Sequence, residues 1–138
     1  MKVFFDSNVI IDALSRREGS VEAERRLLYA AVSGELEGVI SAKQITDIYY
    51  VLRKYINDDR VRRDLLSILL NGLIVICADK ALLVNSLKSN ISDYEDAVIV
   101  DSAVFADASY IVTKDIKGFS KSPIPPITPE ALSKELHL

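Results

Sequence analysis

The sequence predicts a three-layer α/β/α fold, built on a mainly parallel sheet of four to five strands in a single domain covering residues 1–138. Three observations predict it. Short β-branched and aromatic runs recur along the chain, helical patterns lie between them, and one or two helices separate successive strands. Such crossovers join parallel strands, whose sheet is then covered on both faces. The length of 138 residues is about one domain's worth.

The elements follow in order. Residues 3–5 (VFF) form a first strand, and residues 21–33 a helix with Ala23, Leu27, Leu28 and Ala31 at helical spacing. Residues 38–40 form the second strand. Residues 44–55 form a helix whose stripe is Ile45, Ile48, Tyr49 and Leu52, with Ile56 just beyond, and residues 58–70 repeat the pattern. Residues 73–76 form the third strand and residues 79–87 another helix. Ser92 with Glu95 makes a capping box for a helix that runs to about Ala106. Residues 110–112 form the fourth strand, residues 124–127 a weak fifth broken by prolines, and Thr128 with Pro129 caps a terminal helix.

Composition narrows the chemistry. Hydrophobic residues at 49% and charged residues at 27% are ordinary for a globular protein, and no window offers the ~18 uncharged apolar residues of a membrane span. Met1 leads straight into strand-like residues with no secretory pattern, so a cytoplasmic location is expected. Cys77 is the single cysteine, which rules out an internal disulfide, and "LIVICA" around it predicts a buried, inert thiol. His137 is the single histidine, a solvated residue of a final helical turn. Nucleophile systems and common zinc sites need a placed imidazole or several thiolates. Carboxylates must therefore carry any catalysis.

Of the 20 acids most are solvated surface, so each candidate rests on its setting. Asp6 follows the first strand and Asp115 the fourth, and parallel strands present their C-terminal ends at one edge, where ligands collect. Asp6 also reads as a helix N-cap, and the two roles are compatible. Asp96 shares a helix stripe with Val100, Ala103 and Val104, where a carboxylate must be paired, protonated or bound to a cation, unless it is an N-terminal acid favoured by the helix dipole. Asp93 lies one turn earlier on the same face, in the dipole-favoured first turn, and Asp101, about 140° round the helix, reads as structural or solvated. Asp47 points away from its helix's apolar stripe, and only its closeness to the second strand recommends it. Crowded carboxylates repel by about 4 kcal/mol per pair at 4 Å in a dielectric of about 20. A hard divalent ion, Mg²⁺ or Mn²⁺, relieves this and suits phosphate chemistry.

The net charge of −3 does not favour nucleic acid on average, so the distribution of the cations matters. Arg16, Arg17, Arg25, Arg26, Arg53, Lys54, Arg60, Arg62, Arg63 and Lys121 are candidate phosphate contacts, with Lys114 and Lys117, beside the proposed site, ahead of them.

Three segments together, "VFFDSNVIIDAL", "SAKQITDIYYVLRKY" and "YEDAVIVDSAVFADASYIVTKDIKGF", resemble the signature segments of the PIN domain family, in order and across essentially the whole chain. The resemblance implies a metal-dependent nuclease, usually a ribonuclease, many bacterial members being toxins of VapBC-type toxin–antitoxin pairs. It implies an acid quartet at Asp6, Asp47, Asp96 and Asp115 holding Mg²⁺ or Mn²⁺, with Asp47 where the family typically has Glu. It also implies that Thr113 holds a substrate phosphate or a carboxylate, and it draws Ser7 and Asn8 in beside the first acid. The partners it implies are RNA, a protein antitoxin and a second copy of the chain, for which Tyr49, Tyr50 and Tyr55 offer a surface. Two readings compete with a toxin: an RNA-processing nuclease without an antitoxin, and a catalytically inactive binding module whose acids are caps. A receiver-type phosphoacceptor fits poorly, because the third strand is followed by Cys77, Ala78 and Asp79.

Overall fold

The computed structural model describes residues 1–15 and 21–138. Arg16 and Arg17 lie outside the described residues. The elements are β1 (Lys2–Phe5), α1 (Ser7–Leu14), α2 (Glu22–Val32), β2 (Glu37–Ser41), α3 (Ala42–Leu52), α4 (Asp59–Gly72), β3 (Ile74–Ile76), α5 (Lys80–Ser86), α6 (Tyr94–Phe105), β4 (Tyr110–Val112), β5 (Pro126–Ile127) and α7 (Pro129–Glu135). The sheet has five strands in the order β3-β2-β1-β4-β5, every pair parallel. The prolines that weaken β5 are tolerated because it is an edge strand.

Side-chain alternation in β1 splits the core in two. Val3 and Phe5 face a core shared with α1, α2, α3, α4 and α7, whereas Phe4, with Val39 and Ile111, faces α6. Small residues let α6 sit close: Ala97, Val100 and Ala103 are its buried stripe. Gly38 does the same for β2, since a Cβ there would stand 2.7 Å from Ala31 and Leu73 side-chain carbons.

Four expectations are corrected. Val104 is 47% exposed rather than core: it lies in the last turn of α6, beside Phe105, which is exposed too. The cap of α6 is Asp93, not Ser92: its carboxylate accepts from the Asp96 N–H at 3.0 Å, and Glu95 turns outward to Lys43 instead of closing a box. Cys77 is exposed, because it follows β3, an edge strand covered on one side only. His137 is not helical. It takes a positive φ of 58° just past α7, where its N–H and that of Leu138 close the helix end on the carbonyls of Lys134 and Ser133.

Candidate active site at the sheet switch point

The chain leaves β1 toward β2 on one side, and β4 adds on the other, so the connections after β1 and β4 diverge and open a crevice between their ends. Asp6 and Asp115 flank that crevice. The Asp6 N–H extends the β1–β4 ladder to the Val112 carbonyl at 3.0 Å, which fixes the backbone beneath the site. A groove of about 870 Å³ lies above it, lined by Asp6, Ser7, Asn8, Asp47, Asp96 and Asp115 among others. All four predicted acids therefore share one groove.

Asp6 holds the N-cap position of α1 without making a side-chain capping bond. Its Oδ2 accepts instead from Thr113 Oγ1 at 2.8 Å, and the same hydroxyl accepts the Asp115 N–H at 3.0 Å. Thr113 is fully buried, so this hydroxyl is a fixed hinge between the two strand ends. It holds a carboxylate, the second of the two roles the resemblance left open. Burial raises the Asp6 carboxyl above its ordinary range; the Thr113 bond and Ser7 N–H oppose this, and Asp115 adds to it.

Asp96 sits in the first turn of α6, half-buried. Its carboxyl is pushed up to about 6, first by burial and then by the charges of Asp93, Asp6, Asp115 and Glu95. Asp6, Asp96 and Asp115 thus feel one another electrostatically. As placed they are not drawn into a cage: among the described residues no three His, Cys, Asp or Glu side chains are arranged to hold one metal ion. Asp6 is turned to Thr113, and Asp115 Oδ1 accepts the Gly118 N–H at 3.0 Å. Mutual repulsion favours such a spread arrangement.

Asp47 faces solvent, as its position on the helix predicts, and pairs with Lys43 at 2.7 Å; Lys43 also reaches Glu95 at 3.0 Å. Those two acids raise the Lys43 ammonium's pKa. Ser7 Oγ accepts from Gln44 Nε2 at 3.0 Å, and the same amide donates to the Phe5 carbonyl at 2.9 Å. Gln44, buried and overlooked in the sequence, ties α3 to the end of β1. Its signal was readable, because Ser41 and Gln44 form the capping box of α3.

Lys114 does not reach toward the groove. It bonds Asp12 of α1 and stands 3.2 Å from Glu24 of α2, two buried carboxylates that anchor it away from the site. Its burial lowers the ammonium's pKa, but the bonds to Asp12 and Glu24 outweigh that and leave it raised. Neither acid was singled out in the sequence, although Glu24 lies beside the Leu27–Leu28 stripe where a charge demands a partner. Four of the other candidate cations are also engaged. Arg25 donates to the Ala13 and Ser15 carbonyls, Arg26 pairs with Glu22, and Arg62 and Arg63 pair with Asp59. Asp59 also accepts from Tyr49, and these bonds hold its carboxyl down at about 2. Tyr49 is thereby half-buried structure, whereas Tyr50 and Tyr55 are exposed. Lys117 and Lys121, with Asp115, line a second hollow of about 340 Å³.

The family model of the PIN domain matches residues 2–117. Among solved structures, the chain is similar to VapBC2 from Rickettsia felis bound to a DNA fragment from their promoter, at 18% identity and a TM-score of 0.67, over 93% of this chain and 98% of that one. It is also similar to FitAB bound to an IR36 DNA fragment, at 15% identity and a TM-score of 0.65, over 92% and 94%. No curated protein sequence matches.

Proposed function

The chain belongs to the PIN domain family, and from that premise we propose that it is a metal-dependent endoribonuclease acting as the toxin of a toxin–antitoxin pair. The observation that carries the reading is the placement of Asp6, Asp96 and Asp115 at one switch-point groove, where burial first and the neighbouring acids second raise the Asp6 and Asp96 carboxyls. Carboxylates that repel one another and offer only oxygen donors suit a hard divalent ion, Mg²⁺ or Mn²⁺.

Asp6, Asp96 and Asp115 would hold the ion, which supplies polarisation of a phosphoryl oxygen and activation of water. Thr113 ties the Asp6 carboxylate to the Asp115 backbone. Asp47, engaged by Lys43 at the groove edge, would act on the ion through a water. Gln44 fixes the Ser7 hydroxyl beside Asp6, and Asn8 lies exposed at the same rim. Lys117 offers a cation to the phosphate backbone beside Asp115.

The VapBC2 and FitAB structures hold DNA-bound complexes, which supports a protein antitoxin as a partner of this chain. One observation favours a second reading, a PIN-fold binding module without catalysis: the acids are not preassembled. Incubating a mixed RNA pool with the protein and Mn²⁺, with and without EDTA, separates them. Cleavage that disappears with EDTA and in Asp96→Asn is expected; RNA left intact, or a fully active Asp96→Asn, removes the nuclease reading.

A further inference from the structure

The same groove carries features that the acid cluster does not use. Its lining also includes the apolar side chains of Val51, Leu83, Val98 and Ile99, together with Tyr50 of α3 and Tyr94 of α6. Both rings are open to solvent, Tyr50 at 66% and Tyr94 at 43%. Tyr94 is also held: its hydroxyl donates to the Leu83 carbonyl at 2.8 Å, which fixes the ring at the start of the helix that carries Asp96. The face of Tyr50 already receives a planar group, the Arg53 guanidinium, 5.3 Å from the ring centroid.

Charge decides which part of a nucleotide can lie here. The lining includes Asp6, Asp47, Glu95, Asp96 and Asp115 against Lys43 alone, so a run of phosphates is repelled along it. Lys117 and Lys121 line the second hollow, which shares Asp115 with the groove. We infer that Tyr50 and Tyr94 are stacking platforms for unpaired bases of the substrate strand, whose backbone turns across Asp115 onto Lys117 and Lys121. This rests on the nuclease reading for its substrate class and adds the demand for a single strand, because bases within a duplex have no free face.

The test separates binding from cleavage. A fluorescein-labelled single-stranded oligoribonucleotide is titrated by anisotropy in Ca²⁺, and a blunt duplex of the same sequence beside it. Tyr50→Ala and Tyr94→Ala are each expected to weaken single-strand binding about 5-fold or more, the loss of one stacked base. Tyr94→Phe, which keeps the flat ring and loses only the bond to Leu83, should bind far more tightly than Tyr94→Ala, and Tyr94→Leu, apolar but not flat, should behave like alanine. The chain has six tyrosines and no tryptophan, so quenching of its intrinsic emission by the RNA gives a second readout. Parental affinity in both alanine variants, or a duplex bound as tightly as the single strand, overturns the inference and leaves the groove to a protein partner. Absence of Mn²⁺-dependent cleavage alongside tyrosine-dependent binding overturns the nuclease reading instead.

Discussion

Thr113 Oγ1 donates to Asp6 Oδ2 at 2.8 Å across 107 residues of sequence, and accepts the Asp115 N–H with the same oxygen. One buried hydroxyl therefore sets the relation between two acids that no local sequence rule connects. Thr113→Val keeps the shape and removes both bonds. It should cost about 1–3 kcal/mol in urea unfolding, because Asp6 loses its buried donor. Cleavage should fall at least 10-fold. Unchanged stability and activity would show that the hinge does nothing.

Gly118→Ala tests the placement of Asp115 with little risk to the fold. A Cβ at residue 118 would overlap Asp115 Oδ2, and the carboxylate is a side-chain end that can swing away. The expected outcome is a parental melting temperature with weakened Mn²⁺ binding by calorimetry. Unaltered Mn²⁺ affinity would mean that the Asp115–Gly118 arrangement is irrelevant to the ion.

Lys114 counters two buried acids, Glu24 fully enclosed and Asp12 nearly so. Lys114→Met should destabilise the protein by about 3 kcal/mol, the scale of a broken buried pair. Adding Glu24→Gln should recover part of that, since the stranded charge goes with it. A Lys114→Met protein as stable as the parent would contradict the anchoring role.

Metal-free protein should lose stability as pH rises from about 4 to about 6. The folded Asp96 carboxyl is raised from 3.8 to about 6, so the folded state binds the proton more tightly than the unfolded chain. That contribution is complete below the unfolded value and is lost as pH passes through the folded one. Asp96→Asn should flatten this slope in denaturation measured in EDTA at several pH values. A slope retained in the variant would assign it to other groups.

Mn²⁺ should raise the melting temperature. Saturation at about 100 times Kd gives about 2.7 kcal/mol of stabilisation. Asp6→Asn or Asp96→Asn should lose most of it. A melting temperature indifferent to Mn²⁺ would favour the binding module.

The elements were legible because periodicity is a local property. The run VFF reads as a buried strand wherever it stands, and β4 matched residue for residue because its neighbours Asp107 and Ser109 are turn formers that bound it on one side. Where expectation failed, a contact from elsewhere decided. Asp93 displaced Ser92 as the cap because Glu95 has Lys43 to meet, and Cys77 is exposed because β3 fell at the sheet edge.

The sequence by itself determined the layer architecture and the attachment of Asp6, Asp96 and Asp115 to strand ends and a helix start. These follow from hydrophobic spacing and from the high cost of an unpaired charge on an apolar stripe; Asp47 joined them only through the resemblance to the PIN domain family. Only the tertiary structure decided how those acids are held: that Thr113 bonds Asp6, that Lys114 turns inward to Asp12 and Glu24, and that Tyr50 and Tyr94 share the acids' groove. Strand order places β1 beside β4, and a side chain's partner is fixed by that adjacency in space, which spacing along the chain does not encode.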